Sequence, residues 1–290
     1  VDYQSRLNYS HDDLRVIILN QEKDQTNASH IMTDSTYLDK ILAFHRSRSA
    51  NDRRSFADLL KLVPSNPPRG FAEKITNESG LSVIAEIKRK SPSKGIFRAD
   101  LDPSAVALQY EVSGAACISV LTDSEHFGGS ESDLQAVRLV VDLPILRKDF
   151  TIDPRDICDA KIMGADCVLL IVSALEKNQL RELYNLATVL GMDALVETHD
   201  ESEIEIALEI GAEMIGVNQR DLQTFKVDQK RALRVVEQIP EDVVKVAESG
   251  IKTPSDAKAL AAAGYDAVLI GEALVVSEMP GLIIKELKEL

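Results

Sequence analysis

The sequence predicts an α/β chain whose strand–helix units close into a (β/α)8 barrel, preceded by an N-terminal helical extension. Three observations predict it. From Leu81 onward, short β-rich runs alternate with amphipathic helical runs eight times. The length of 290 residues accommodates the roughly 250 that a closed barrel of this kind needs. The Gly-x-Gly-x-x-Gly turn that would mark an open doubly wound sheet, the structural alternative, is absent after the first strand.

Residues 1–35 read as a polar extension, free by composition either to stay mobile or to dock through Val16-Ile17-Ile18-Leu19. Residues 36–290 are assigned to the barrel domain. Asp34-Ser35-Thr36 is a cap-like cluster, after which Leu38, Ile41, Leu42 and His45 recur at helical spacing. The Arg/Ser-rich stretch Arg46–Arg54 is expected to continue that helix. Pro64, Pro67, Pro68 and Gly70 mark a loop. Strands are expected at Val83–Lys88, Cys117–Leu121, Ile145–Phe150, Cys167–Val172, Ala194–Glu197, Met214–Asn218, Val243–Glu248 and Ala267–Gly271. Helices are expected at Pro103–Val112, Ser132–Val140, Pro154–Met163, Lys177–Leu190, Glu201–Ile210, Gln229–Gln238, Pro254–Ala263 and Leu282–Leu290. Several start as Asp-Pro or Thr-Pro and end in glycine, the cap-then-proline start and left-handed stop of helices.

Composition narrows the function. Hydrophobic residues are 44% of the chain and aromatic ones 4%, so aliphatic side chains must fill the core. A formal net charge of -14 disfavours nucleic acid and anionic lipid as partners. An anionic metabolite then requires a local cluster of cations. The three cysteines form no CxxC pair, which points to free thiols in a reducing compartment. The five histidines show no paired metal spacing, so no metal is expected. No apolar run approaches the roughly 18 residues of a membrane span. Val-Asp-Tyr-Gln does not resemble a signal peptide, and a cytoplasmic enzyme is expected.

Active-site groups in a barrel project from the C-terminal strand ends. Side chains alternate along a strand, so Glu86 and Lys88 share a face. Leu146, Lys148 and Phe150 share another, opposed to Arg147 and Asp149. With the first sets inward, Glu86, Lys88, Lys148, Glu197 and Glu248 converge at one mouth. That many buried charges is poor for stability unless they are paired, which points to function over structural sealing. The turns at Glu248-Ser249-Gly250 and Gly271-Glu272 fall where barrels bind phosphate. The strongest local motif, Val83 to Gly95, runs a strand into a basic loop. Its Lys88, Arg89, Lys90 and Lys94 supply cations, although Arg89 and Lys94 are equally readable as a solvated loop.

This motif resembles the Glu-x-Lys-x-x-Ser-Pro-Ser signature of indole-3-glycerol-phosphate synthases. Pro144–Phe150, Leu195–Glu197, Ile215–Leu222, Ala247–Gly250 and Ile270–Glu272 are similar to further family segments, in family order. The resemblance covers about residues 35–290 and implies a TIM barrel with an N-terminal helical extension. It implies closure of an indole ring in tryptophan biosynthesis. The substrate is 1-(o-carboxyphenylamino)-1-deoxyribulose 5-phosphate, and the products are indole-3-glycerol phosphate, CO2 and water, with no metal or organic cofactor.

By that resemblance, Lys148 is the general acid on the ribulose carbonyl and Glu197 the acid/base partner in dehydration. Glu86 orients the lysines and relays protons, and Lys88 contacts substrate and phosphate. Asn218 and Arg220 hold the anthranilate carboxylate and the forming intermediate. Ser91, Gly250 and Gly271 line the phosphate site, and Glu248 and Ser249 meet the hydroxyl-bearing part. Phe127, Phe150, Leu169 and Ile171 wall the aromatic ring. Glu272, beside a phosphate, is expected to offer its N–H and turn its carboxylate away. Lys148, among other cations, is expected to have a lowered pKa. A monomer or weak homo-oligomer is expected. Phosphoribosylanthranilate isomerase chemistry favours a Cys/Asp pair, against which Lys148 and Glu197 argue. A silent barrel, acting as a metabolite sensor or through residues 1–35, would be expected to have lost one of those two.

Overall fold

The computed structural model describes residues 36–67 and 69–289; the expectations for residues 1–35 fall outside the described residues. Among the described residues, eight parallel strands form a closed barrel: β1 (Ser82–Ile87), β2 (Cys117–Leu121), β3 (Ile145–Lys148), β4 (Cys167–Ile171), β5 (Asp193–Thr198), β6 (Met214–Asn218), β7 (Val244–Glu248) and β8 (Ala267–Ile270). Each pairs with the next, and β8 closes on β1 with Ser82 opposite Ala267. Every expected strand is present. β3 stops at Lys148 instead of Phe150, because the Phe150 N–H bonds to the Asp149 carboxylate at 2.8 Å and leaves the ladder.

The alternation sorts strand residues into two cores. Val83, Ala85, Ile118, Val168, Leu170 and Val196 pack outward with the helices, whereas Ile84, Cys117, Leu146, Cys167, Leu195, Met214, Val246 and Leu269 pack together inside. Above that inner layer, inward positions nearer the C-terminal strand ends carry Glu86, Lys148, Glu197, Asn218 and Glu248. The pleat, not the loops, sets their convergence.

The segment before the barrel covers both of its ends. Helix α1 (Tyr37–Asn51) starts with a Thr36/Asp39 capping box. It lies by the C-terminal mouth, where the Tyr37 ring sits 4.7 Å from that of Phe225. Arg48 holds Asp156 at 2.6 Å, and the Ser49 hydroxyl donates to Asp153 at 2.6 Å. The helix does not run on to Arg54: the Asp52 N–H bonds back to Ser49, and Arg54 turns out to grip Asp52 and Asp159. Two short helices, α2 (Phe56–Leu62) and α3 (Phe71–Thr76), were not foreseen. Phe71 of α3 is fully buried and packs into the inner core. The Asp166 and Asp193 carboxylates accept the Arg69 and Ala72 N–H groups, sealing the N-terminal end.

The helix expected from Gln229 begins at Arg231 and finishes as a 3-10 turn, Val236–Gln238. The Asp228 carboxylate accepts the Lys230 N–H at 3.0 Å, a local turn that delays helix entry.

Candidate active site

The C-terminal mouth opens into a cavity of about 560 Å³, the size range of small-molecule sites. Every residue to which the resemblance gave a catalytic or substrate-binding role lines it. Glu86, Lys88, Lys148, Glu197, Asn218 and Glu248 form the floor; Ser91, Arg220, Ser249, Gly250, Gly271 and Glu272 stand on one side; Phe127, Phe150, Leu169 and Ile171 supply apolar wall.

Lys148 is the hub. Its Nζ lies 3.1 Å from Glu197 Oε2 and 3.5 Å from Glu248 Oε2. Asn218 donates to Glu197 Oε1 at 2.9 Å, and Lys88 pairs with Glu86. Gly216 faces inward beneath Asn218, where a Cβ would fall 2.3 Å from Glu248 Oε1, so glycine makes room for that carboxylate.

The expectation of a lowered Lys148 pKa is overturned. Burial opposes its charge, but Glu197, Glu248 and Glu86 outweigh burial and raise its pKa. Its neighbours are carboxylates, not cations. Those carboxylates diverge. Burial pushes Glu248 up to about 8, aided by the like charges of Glu197 and Glu86 and only partly offset by Lys148. Burial also penalises Glu197, but Lys148, His199 and the Asn218 hydrogen bond outweigh it and hold its pKa low. Near neutral pH the floor therefore holds an ammonium, an ionised Glu197 and a Glu248 that retains its proton. Paired groups with separated pKa values are a signature of acid–base sites.

On the second side, Ser249 and Gly250 both take left-handed backbone (φ 63 and 75). Gln219 fixes the turn by donating to the Ser249 carbonyl at 2.8 Å. A side chain at Ser249 costs backbone strain, of the kind that collects at binding turns. Gly271 precedes a short helix, Glu272–Val275. A Cβ on Gly271 would lie 2.2 Å from Glu86 Oε1 and 3.1 Å from Lys88 Nζ. Gly271→Ala is thus expected to displace that pair while sparing the fold, because the obstructed atoms are side-chain ends. Steady-state kinetics should show kcat/KM lower by about tenfold or more, a loss of roughly 1.4 kcal/mol. Wild-type kinetics would refute the close approach.

Two expectations need correction here. Glu272 does not turn away: its carboxylate pairs with Lys94 and lies 3.8 Å from the Arg220 guanidinium. Those cations draw it across the mouth, so it partly neutralises the side meant for an anion. The basic loop also divides. Arg89 leaves the cavity to pair with Asp133, and Lys90 donates to the Glu125 carbonyl at 2.6 Å. Lys88 and Lys94 remain at the cavity.

Sequence reasoning missed Leu222, Phe225 and Val227, which line the cavity from the loop after β6. No periodicity marks residues in an irregular loop. It also missed the meeting of His45, Asp123 and His126, whose ligand-type atoms lie within 4.8 Å of one another. Both imidazoles sit 2.9 Å from the same Asp123 oxygen. Asp123 also accepts the His126 N–H, so it fastens α1 to the turn that presents Phe127. His45 lies 78 residues from Asp123 in the chain, so sequence spacing carries no trace of their meeting.

Comparison with known proteins adds an independent line. The family profile described as indole-3-glycerol phosphate synthase matches residues 38–287. A protein of that name from Chloroherpeton thalassium is 46% identical over 251 residues, spanning 84% of this chain and 96% of its own length. A namesake from Parafrankia sp. is 47% identical over 233 residues, spanning 80% and 87%. Among solved structures, thiamine phosphate pyrophosphorylase from Pyrococcus furiosus superposes with a TM-score of 0.55 at 16% identity, over 72% of this chain and 94% of its own. That likeness speaks to the barrel alone.

Proposed function

The chain belongs to the indole-3-glycerol phosphate synthase family, and from that premise we propose how its cavity closes an indole ring. The observation that carries the assignment is Lys148, seated between Glu197 and Glu248 at the barrel mouth. In the proposed sequence the ring carbon bearing the anthranilate carboxylate attacks the ribulose carbonyl. Lys148 protonates the carbonyl oxygen as charge develops on it. Loss of CO2 restores the aromatic ring. Glu197 then takes the proton that the new ring loses and gives it to the departing hydroxyl, which leaves as water, and Lys148 regains its proton from solvent once the product has left.

A raised lysine pKa suits this role. The ammonium stays loaded at neutral pH, and a developing alkoxide is basic enough to take its proton. Arg220 and Asn218 receive the carboxylate and the intermediate; paired guanidinium hydrogen bonds orient the carboxylate until it leaves. Glu86 orients Lys88, which with Ser91, Gly250 and Gly271 receives the phosphate end. Glu272 contributes its N–H there, and Lys94 and Arg220 are released from its carboxylate as the anion enters. Glu248, which retains a proton, and Ser249 meet the substrate hydroxyls. Phe127, Phe150, Leu169 and Ile171 exclude water around the ring.

We assign the enzyme to the carboxy-lyases and assign it no metal or organic cofactor, since each proton step has a side-chain donor or acceptor to serve it. Three free, buried cysteines suit a reducing cytoplasm, and we assign the enzyme there as a monomer or weak homo-oligomer. Among the described residues no helix is long and apolar enough to cross a membrane. Purified protein is expected to convert the carboxyphenylamino-deoxyribulose phosphate with the appearance of indole fluorescence. Removing residues 1–35, which we read as a polar extension outside the catalytic domain, is expected to leave that rate unchanged. Folded protein that forms no indole product would sink the assignment.

A further inference from the structure

We propose that His45, Asp123 and His126 form a binding site for one zinc-like divalent cation, a structural site beside the catalytic cavity. Helix α1 supplies His45, and the segment after β2 supplies Asp123 and His126. Asp123 Oδ2 lies 2.9 Å from His45 Nε2 and 2.9 Å from His126 Nδ1. All three atoms fall within 4.8 Å of one another. A tetrahedral zinc with bonds of about 2.0–2.1 Å sets neighbouring ligand atoms roughly 3.3 Å apart, so small side-chain shifts admit the ion. Asp149 Oδ1, 3.8 Å from His45 Nε2, stands as a fourth donor.

Charge points to a cation as firmly as distance does. The Asp123 side chain has no solvent exposure. Among the described residues its ion-pair partners are His45 and His126, and no lysine or arginine pairs with it. The neighbouring Asp149 differs, because Arg147 meets it at 2.9 Å. Buried carboxylates are paired or bind metals. Two neutral imidazoles offer Asp123 hydrogen bonds but no positive charge. A divalent ion seated on the two facing nitrogens supplies that charge, and each neutral imidazole then carries its proton on the other nitrogen.

Packing presets the ligand rings. Phe44 meets both imidazoles edge-on with centroids 5.3 Å away, and Phe150 lies 5.3 Å from His45. This apolar shell limits water and lowers the local dielectric. The His126 side chain keeps 19% of its surface exposed and Asp123 lines the cavity, which gives the ion a way in. Two imidazole nitrogens with a carboxylate in so closed a pocket suit zinc, with cobalt(II) as its spectroscopic stand-in. Magnesium and calcium favour shells of oxygen. The ion fastens α1 to the turn that presents Phe127. It takes no proton step, since those stay with Lys148 and Glu197, so it is not a cofactor of the ring closure.

The test uses the full chain, freed of metal by a chelator and titrated with zinc or cobalt(II) alone. Wild type should bind one zinc per chain at about 1 μM or tighter. Cobalt(II) should give the strong visible absorption of tetrahedral coordination. Anomalous scattering at the zinc edge should place the ion between the three side chains. At about 100 times its dissociation constant, zinc should raise Tm by roughly 5 °C. His126→Gln, at the exposed side of the site, should fold and lose about 100-fold or more in affinity, beyond the 10–100-fold typical of a residue that only supports a ligand. Asp123→Asn should lose as much; because Asp123 also caps its turn, His126→Gln and the scattering decide should that variant fail to fold. His11→Gln combined with His30→Gln, outside the site, should bind as wild type. Zinc that binds His126→Gln as tightly as wild type, that is lost with His11 and His30, or that scatters from elsewhere is held at another place and overturns the site. So does a wild type that binds zinc more weakly than that bound. None of these readings needs turnover, so their failure leaves the ring-closure reading standing, and failure of that reading leaves the site standing.

Discussion

Lys148→Ala is expected to lower kcat/KM by about 10³-fold or more, the combined cost of losing a general acid and a preorganised cation. The barrel should stay folded. Lys148 closes no ladder that its backbone does not close, and its side chain ends in the cavity. The larger consequence falls on Glu197 and Glu248, which both lie in its field. Without the ammonium they respond by binding protons. Below neutral pH that response is cheap and the variant should melt close to wild type. At higher pH the carboxylates must ionise side by side, so the Tm deficit should widen as pH rises. The measurement is paired: indole formation at saturating enzyme, and melting at pH 6 and 9. Full activity would remove Lys148 from the chemistry, and a Tm deficit that narrows with pH would contradict its place among carboxylates.

The same cluster shows how far a sequence can be read. Eight alternations of pattern are enough for a barrel, and strand parity alone brings Glu86, Lys148, Glu197 and Glu248 to one layer. That is why the floor of the site was legible. Parity says nothing about what lies between strands. The direction of the Lys148 pKa depends on Glu197 and Glu248 lying nearer than any cation, a distance that only closure of the barrel sets. Beyond the strand ends the rule lapses altogether. Lys88 and Arg89 are adjacent and alike in charge, yet one reaches Glu86 inside and the other Asp133 outside. Glu272 faces the cavity because Lys94 and Arg220 attract it, a balance invisible in its local sequence. Phe225 and the His45–Asp123–His126 contact belong to the same class, since both depend on how α1 settles against the mouth.

Coverage of both barrel ends follows from this packing. Phe71 caps the lower core and α1 flanks the mouth, so chain outside the eight repeats bears on the walls of the cavity. The catalytic floor is rigid because strands carry it. The phosphate side and the apolar wall depend on loops that α1, Glu272 and Gln219 hold in place.

Glu248→Gln supplies the sharpest thermodynamic test of that floor. Glu248 is about 1% exposed, one of its oxygens is buried without a hydrogen-bond partner, and its pKa is pushed up to about 8. In an unfolded chain it titrates near 4.5. Between those values the folded state binds more protons than the unfolded one, so stability falls as pH rises. The contribution is fully present below about 4.5 and is lost as pH passes through 8. A tenfold change in proton affinity on folding is worth about 1.4 kcal/mol, so a loss on the order of 2–4 kcal/mol between pH 5 and 9 is expected. Glutamine has the shape of the protonated acid and cannot ionise. Near pH 5 the variant should match wild type, and at pH 9 it should be more stable, by roughly 5 °C or more in Tm. His199 adds a slope of the same sign, because its raised pKa gives stability that is lost as pH climbs through it. That slope remains in both proteins, so the difference between their denaturation curves isolates Glu248. Glu197 has the opposite sign, but its lowered pKa confines its effect to pH below the usual carboxylate range. A wild type that outlasts Glu248→Gln at pH 9 would mean that Glu248 is ionised and paired with Lys148, and the acid–base division of the floor would have to be redrawn.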